Sequence, residues 1–262
     1  MEPLLTIAVR AARAAGNVLR RSQDNLDRVH WSAKGRNDFV SEADRAAEMV
    51  IVETIRQSYP DHAITAEESG HTGNEDSPVE WIVDPLDGTT NFIHGIPHFA
   101  VSIGIKVKGK LEHAVVYAPM VEELYTATRG AGAELNNHRI RVGKHVDLRD
   151  CLLATGFPFR DHNRLPQWQK TFDALFAECS DVRRAGSAAL DLAYVAAGRL
   201  DGFWEFDLKP WDIAAGALLV IEAGGIIEDI NSKPNYLETG NVLTANPKVF
   251  KAMLQKIRPV LK

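Results

Sequence analysis

The sequence has little cysteine and lacks a long uninterrupted apolar run. Its 262 residues include two cysteines, Cys151 and Cys179. These are too few for the disulfide framework of a small secreted domain, so reduced thiols are expected. The apolar N-terminal segment, residues 1–21, is interrupted by arginines, which predicts an amphipathic helix rather than a signal peptide or a membrane span. We therefore expect a cytoplasmic protein without a membrane segment.

An excess of basic charge is also missing. The chain has 30 Lys+Arg against 35 Asp+Glu, a formal net charge of −5. This balance gives no electrostatic footprint for nucleic acid, although a local basic patch stays open. No internal repeat, low-complexity run or flexible linker is found. We predict a single domain over residues 1–262, folding as one cooperative unit with an internal seam between two subdomains, about 1–147 and 148–262.

Several signatures of catalysis are absent. No Ser-His-Asp order, cysteine-centred signature or Walker lysine is present, so neither a covalent nucleophile nor a nucleotide-binding loop is indicated. His94 and His98 are four residues apart, but Gly95 and Pro97 lie between them and exclude a shared helix face. A zinc site at this pair is therefore not expected.

Hydrophobic periodicity predicts a chain of mixed α and β structure. Helices are predicted over residues 1–21, Ser41–Ser58, Leu165–Glu178, Ser187–Ala197, Asp212–Ala223 and Pro247–Ile257. Strands are predicted over Ala63–Ala66, Trp81–Val83, Ala100–Val107, Leu111–Tyr117, Leu124–Thr128, Gly202–Glu205 and Gly225–Asp229, with a polar loop over His71–Pro78.

The most specific pattern is the run WIVDPLDGTTNF at Trp81–Phe92. Its first three residues indicate a buried strand, which Pro85 should end because proline has no N–H for a ladder. Asp84 and Asp87 then follow, three residues apart, before a glycine that lets the backbone approach a ligand. Hard oxygen ligands beside backbone donors suit a cation such as Mg²⁺ that holds a phosphate. The alternative is an ordinary turn, because Asp, Pro, Gly and Thr favour turns.

This run resembles the metal-binding signature of the inositol monophosphatase family. The likeness extends to the Glu-Glu-Ser element in Ala66–Gly70, to the substrate-side segment Arg183–Leu190 and to the Trp-Asp-x-Ala-x-Gly signature in Lys209–Gly216. It covers the chain from about residue 4 to about residue 255 and is closest to the bacterial, SuhB-type branch. The resemblance implies an α+β fold, a layered αβαβα sandwich, with the active site at the seam between the two subdomains. It further implies a Mg²⁺-dependent, lithium-sensitive phosphatase acting on inositol monophosphates as a homodimer.

The resemblance also implies the site residues. The implied metal ligands are Glu67, Asp84, the Leu86 carbonyl, Asp87 and Asp212, with Asp84 bridging two cations. The implied catalytic residues are Glu67, Thr89 and Asp44. The implied substrate-binding residues are Glu67, Leu86, Asp87, Gly88, Thr89, Arg183, Gly186, Ser187, Ala188, Glu205 and Asp212. The N–H groups of Gly88 and Thr89 would hold phosphate oxygens.

Some of these residues have a second interpretation. Asp212 follows Pro210-Trp211 before an alanine-rich helix, which is a good N-cap pattern. Asp44 could cap the helix that begins after Ser41 through a capping box, or accept a hydrogen bond from Thr89 and thereby orient the attacking water. A carboxylate has two oxygens, so both contacts can coexist.

The alcohol side of the site leaves more alternatives open. Glu205 could bind substrate hydroxyls or face solvent on a strand. The segment 186–188 could approach the ring or merely begin a helix. Arg183 could reach substrate, and Arg184 could lie at a subunit contact, or both could be solvated. Lys34 matches the family's mobile lysine near a weaker third metal, although a loop lysine ordinarily has no such role.

The predicted chemistry follows from the substrate. Hydrolysis of phosphate monoesters requires acceleration on the order of 10²¹-fold. Cations can activate water and neutralise the leaving oxygen, and acidic groups that repel one another without a cation bind it tightly. Two further functions stay open. One is a sister phosphatase for fructose bisphosphate, a 3′-phosphoadenosine nucleotide, NADP or histidinol phosphate. The other is a regulatory role in transcription antitermination with RNA polymerase and its factors.

Overall fold

The computed structural model describes residues 2–35, 38–158, 161–231 and 235–261, without the side chains of residues 33–35 and 38–40. The α-helices within these residues are α1 (Pro3–Gln23), α2 (Glu42–Ser58), α3 (Thr89–Ile93), α4 (Leu165–Phe176), α5 (Ala188–Ala196), α6 (Pro210–Glu222), α7 (Tyr236–Thr239) and α8 (Pro247–Ile257). Short 3₁₀ turns lie at Leu26–Arg28, Leu148–Asp150, His162–Arg164 and Arg258–Val260.

The strands of the same residues form three sheets. They are β1 (Trp31–Gly35), β2 (Asp38–Ser41), β3 (Ala63–Ala66), β4 (Gly70–Thr72), β5 (Val79–Asp87), β6 (Ala100–Val107), β7 (Lys110–Ala118), β8 (Glu123–Thr128), β9 (Gly132–Leu135), β10 (His138–Arg139), β11 (Leu152–Thr155), β12 (Asp181–Arg183), β13 (Gly202–Glu205), β14 (Ile226–Asp229) and β15 (Val242–Ala245). The large sheet has the order β10-β9-β8-β7-β6-β5-β3-β4, the small sheet β12-β11-β13-β15-β14, and β1 pairs with β2.

Local sequence signals predicted many of these elements. The predictions for β3, β6, β13 and α8 are confirmed at both ends, and the other predicted helices are confirmed within about two residues. Ser41 accepts a hydrogen bond from the Asp44 N–H while the Asp44 carboxylate accepts one from the Ser41 N–H, so the predicted capping box is present. Residues 70–72 form β4 against β3, so the predicted loop over His71–Pro78 starts too early.

The strand with the acidic motif is longer than predicted. β5 continues to Asp87, so the expectation that Pro85 ends the strand after Val83 is wrong. In the ladder between β5 and β6, Asp84 is opposite Ser102 and Asp87 is opposite Ala100. The register of the two strands shifts between these two pairs. Such an irregularity accommodates proline because the ladder needs no N–H there.

Five layers stack in the order helix, sheet, helix, sheet, helix. α1 and α2 cover one face of the large sheet, α5 and α6 lie between the two sheets, and α4 and α8 cover the small sheet. One hydrophobic core lies between the large sheet and helices α1 and α2, and another lies between the small sheet and helices α4 and α8. A third core surrounds α5 and α6 and contacts both sheets. Gly104 of β6 permits close packing of α6, because a Cβ there would lie 2.8 Å from the Cβ of Ala214. The predicted α+β layered sandwich is confirmed.

The central layer connects both parts of the chain, because α5 and α6 contact strands of the large sheet and of the small sheet. That the chain folds as one cooperative unit with a seam near residue 147 stays a prediction. Among the described residues, no helix is both long enough and apolar enough to cross a membrane.

Candidate active site

The ends of several elements converge on one cavity between the two sheets. Glu67 directly follows β3, and Asp84 and Asp87 lie at the end of β5. β3 and β5 are parallel neighbours, so their carboxyl ends meet at one edge of the sheet, and the Glu67 N–H donates to the Val83 carbonyl at 3.1 Å. Glu205 ends β13, and Asp212 lies in the first turn of α6. All five acidic side chains line the cavity.

Three of these carboxylates form a tight group. Asp84, Asp87 and Asp212 each offer an oxygen atom, and these oxygens all lie within 4.8 Å of one another. Asp84 is 1% exposed. Burial, together with the negative charges of Glu67, Asp87 and Asp212, raises the pKa of the Asp84 carboxyl well above its ordinary value. A divalent cation would offset this repulsion, so the donor set could hold a metal ion.

Hydrogen bonds orient each member of the group. Asp84 Oδ1 accepts the Leu86 N–H at 2.9 Å. Asp87 Oδ2 accepts the Ser187 hydroxyl at 2.6 Å and the Ala189 N–H at 2.7 Å, which connects β5 to the start of α5. Asp212 Oδ2 accepts the Lys209 N–H at 2.7 Å. The N-cap residue of α6 is Lys209, so the N-cap interpretation of Asp212 is wrong. Asp212 is the third residue of the helix, and its carboxylate accepts the N–H of the N-cap residue while it belongs to the carboxylate group.

The loop after β5 exposes its backbone to the same cavity. The Leu86 side chain is buried in the core between α1, α2 and the large sheet. Its carbonyl oxygen lies 3.2 Å from the Thr89 hydroxyl oxygen and is a second acceptor for the single proton that this hydroxyl also directs to Asp44. Gly88 has a φ of 103°, in the left-handed region, and a Cβ there would lie 3.0 Å from the His98 carbonyl oxygen. Both Gly88 and Thr89 line the cavity.

Asp44 accepts a hydrogen bond at each of its two carboxylate oxygens. One oxygen, Oδ2, accepts the Ser41 N–H at 2.8 Å and closes the capping box of α2. The other oxygen, Oδ1, accepts the Thr89 hydroxyl at 3.1 Å. Asp44 is fully buried behind this hydroxyl. The helix cap and the contact with the cavity residue therefore coexist in one side chain.

Glu205 lines the same cavity but is not a member of the three-carboxylate group. It is 8% exposed, so the alternative that it faces solvent is wrong. Burial raises the pKa of its carboxyl, and the charges of Asp191 and Asp212 raise it further. The carboxylate lies against Gly156, where a Cβ would be 1.9 Å from its carboxyl carbon. Only a residue without a side chain leaves this space.

The two neighbouring arginines take different directions. Arg183 is paired with the Asp181 carboxylate at an exposed position, whereas Arg184 lines the cavity and lies with its guanidinium 5.0 Å from the centre of the Phe157 ring. The placement that the resemblance implied for Arg183 is thus found for Arg184. Asp191, almost fully buried in α5, also lines the cavity.

The remaining expected residues are placed as follows. Gly186, Ser187 and Ala188 line the cavity at the start of α5, and Ser187 is the N-cap of that helix. This segment therefore both begins α5 and lines the cavity. The side chain of Lys34 lies outside the described residues.

Comparison with known proteins identifies the group to which this sequence belongs. The profile of the inositol monophosphatase family matches residues 1–261. The chain belongs to this family. It is 57% identical over 261 residues to the Nus factor SuhB of Salmonella typhimurium, covering 100% of this chain and 98% of the relative.

Solved structures agree with this membership. The extragenic suppressor protein suhB of Bartonella henselae has a TM-score of 0.95 and 42% identity, with 98% of this chain and 99% of that chain covered. The inositol monophosphatase of Anabaena has a TM-score of 0.84 and 38% identity, with 98% and 95% covered. Membership implies phosphatase chemistry of a metal-dependent kind, for which the acidic group is suited.

Sequence reasoning missed several residues of this family member's cavity, among them the acidic Asp191 and the closely packed Gly156. Asp191 is the one acidic residue in the otherwise apolar α5 sequence AALDLAYVA, and this isolation was a usable signal for a polar cavity. Gly156 had no local signal, because the partner that requires a glycine, Glu205, is 49 residues further along the sequence and comes from another strand.

Proposed function

We propose that the protein hydrolyses inositol monophosphates to inositol and phosphate with Mg²⁺ as its cofactor. The observation that carries this proposal is that one cavity is lined both by three clustered carboxylates and by the buried carboxylate of Glu205, which is outside that cluster. The cluster suits a cation with a phosphate, and Glu205 suits the hydroxyl donors of a polyol. Family membership supports the same interpretation.

The cation would be held by Glu67, Asp84, the Leu86 carbonyl, Asp87 and Asp212. When bound, Mg²⁺ supplies an acidified water as nucleophile and neutralises charge on the phosphate and leaving oxygens. Asp87 and Asp212 are already oriented by backbone donors, at 2.7 Å in each case. Their carboxylates therefore need little rearrangement to bind.

Other residues of the chain would position the phosphate and the water. The N–H groups of Gly88 and Thr89 bind phosphate oxygens at the start of α3. The Thr89 hydroxyl donates its proton to Asp44, so its lone pairs accept a hydrogen bond from the attacking water and fix the water's direction. With a cation held by these carboxylates, Glu67 would be the acceptor for the proton that the attacking water loses.

On the alcohol side, Glu205 accepts hydrogen bonds from inositol hydroxyls, and Ser187 and Ala188 form the adjoining wall. Arg184 adds a positive charge to this side, in the role first expected for Arg183. Because a site with buried acceptors rejects compounds that lack the matching donors, this side determines the preferred alcohol.

A phosphate-release screen with Mg²⁺ tests the proposal. Inositol monophosphates should be cleaved faster than fructose bisphosphate, a 3′-phosphoadenosine nucleotide, NADP or histidinol phosphate. A higher kcat/KM for one of those compounds would make the protein a sister phosphatase. If neither the inositol monophosphates nor the other phosphate esters release phosphate in the presence of Mg²⁺, the hydrolytic function is refuted.

A second function is favoured by one specific finding, the name Nus factor of the 57% identical relative. We propose that this protein also joins RNA polymerase and its antitermination factors, which would place it in the cytoplasm. A pull-down with purified RNA polymerase and elongation factors tests this role. Binding that is kept by the Asp87→Asn variant would separate it from hydrolysis, and no binding by either form would refute it.

We further propose that the protein is a homodimer, as the family resemblance implies. Light scattering on the eluted protein should give about twice the chain mass of 28.9 kDa. A mass of one chain at micromolar concentration would contradict this.

A further inference from the structure

α2 holds a second buried carboxylate beside Asp44. Glu48 lies one turn further along the helix, four residues away, so both side chains lie on the same face. Glu48 is 5% exposed. It is not among the residues that line the cavity, and neither the composition nor the acidic motifs indicate a role for it.

The two oxygens of Glu48 bind two consecutive backbone donors. Oε2 accepts the Glu68 N–H at 2.8 Å, and Oε1 accepts the Ser69 N–H at 2.9 Å. These residues form the turn between β3 and β4, directly after Glu67. Hydrogen bonds to an ionised acceptor are roughly twice as strong as neutral ones, so this contact fixes the turn more firmly than water would.

Glu67 is consequently held on both sides. Its own N–H donates to the Val83 carbonyl of β5 at 3.1 Å, and the next two N–H groups are held by Glu48. One turn earlier on α2, Asp44 holds Thr89 of the loop after β5. A single helix, α2, thus contacts both the turn that follows Glu67 and the start of α3, which follows Asp87.

We propose that Glu48 is a positioning residue that sets the place of Glu67 relative to Asp84 and thereby the affinity of the site for a divalent cation. This inference rests on the proposed function, because Glu67 must be a ligand for its position to matter. Residues that orient metal ligands typically contribute about 10- to 100-fold to metal affinity. The effect should fall on cation binding and leave turnover at saturating Mg²⁺ within about threefold of wild type.

The chain offers a matched control. Glu222, at the end of α6, also accepts two backbone N–H groups, those of Gly130 and Gly132, each at 2.9 Å. It lies outside the cavity lining. Glu222→Gln therefore disturbs the same kind of contact without touching the turn after β3.

The test measures Mg²⁺ binding by calorimetry and amide exchange by NMR in the full chain. Glu48→Gln should speed exchange at the amides of Glu68 and Ser69 and raise the Mg²⁺ dissociation constant about tenfold. Glu222→Gln should keep the wild-type constant within about twofold. Unchanged Mg²⁺ affinity in Glu48→Gln, or an equal loss in Glu222→Gln, would overturn the inference.

Two further outcomes are separable. If Glu48→Gln does not fold, the variant to use is Glu48→Asp, which keeps the negative charge but has a shorter side chain. It should weaken Mg²⁺ binding and preserve the melting temperature. Wild-type Mg²⁺ affinity in Glu48→Asp would also overturn the inference. Absence of Mg²⁺ binding by the wild-type protein would refute the proposed function and this inference with it. Equal binding by wild type and variant refutes the inference alone.

Discussion

Gly156 is the position at which one added methyl group should change substrate preference. A Cβ there would lie 1.9 Å from the carboxyl carbon of Glu205 and 2.1 Å from its Oε2. Non-bonded carbon atoms approach to about 3.5 Å, so the carboxylate would have to move by roughly 1.5 Å. Gly156 is not among the glycines with positive φ, so alanine adds no backbone strain of its own. Gly156→Ala should therefore displace Glu205 and leave the metal carboxylates in place.

The size of the effect follows from the hydrogen bonds that a displaced Glu205 could no longer accept from the substrate. A hydrogen bond contributes about 0.5–1.5 kcal/mol, so the loss of two of them reaches the roughly 1.4 kcal/mol that corresponds to a factor of ten. We expect kcat/KM for inositol 1-phosphate to fall by at least about tenfold. Glycerol 2-phosphate has no ring hydroxyls for Glu205 to bind, so its kcat/KM should change by less than about threefold. Steady-state phosphate release on both substrates measures this, with melting temperature as the folding control.

A double-mutant cycle decides whether the cause is Glu205. In a Glu205→Ala background the crowding atoms are gone, so adding Gly156→Ala should cost little more. Glu205→Gln alone should already weaken inositol monophosphates selectively. The same loss from Gly156→Ala in both backgrounds, or an equal loss on both substrates, would refute the assignment of Glu205 to the alcohol side.

Other perturbations test the rest of the site. Asp87→Asn should abolish phosphate release at ordinary Mg²⁺ with the melting temperature near that of wild type; near wild-type turnover would contradict the cation-holding role. Asp44→Asn and Thr89→Ala should each lower kcat by at least about tenfold, with the double variant little worse than the poorer single one. Additive losses, or lost stability with turnover kept, would leave Asp44 as a helix cap alone. The pKa of Asp84 is raised in the folded state, so the metal-free protein loses stability as pH rises from the ordinary aspartate range through that raised pKa. A cation binds the ionised carboxylate and offsets this loss. Mg²⁺ should therefore raise the melting temperature more at about pH 7.5 than at about pH 5.5. Equal shifts at both pH values would count against a cation at this carboxylate.

The parts of the fold that the sequence could predict are those encoded by neighbouring residues. The ends of α8 follow from Asn246 and Pro247, an N-cap and a first-turn proline, together with apolar residues at helical spacing. By contrast, β9, β10 and β12 are two to four residues long, and their pairing depends on strands elsewhere in the chain. Such short segments have too few residues to show a period, so only tertiary contacts define them.

The same distinction applies to the site. The acidic residues of the motif could be predicted because their spacing and residue types resemble a known signature. Which of Arg183 and Arg184 faces the cavity depends on how the end of β12 turns toward α5, and no local pattern reports that direction. The continuation of β5 past Pro85 depends on an irregular register with β6, which is also a property of the pair of strands.

The tight carboxylate group draws on distant parts of the chain, since Asp212 follows Asp87 by 125 positions in sequence. An unfolded or half-assembled chain cannot bring these oxygens together, so a cation bound there favours the complete native state. At a free concentration one hundred times its dissociation constant, such a ligand adds about 2.7 kcal/mol to the free energy of unfolding. The supply of magnesium in the cell would then influence how long each copy of the chain survives proteolysis, independently of any turnover.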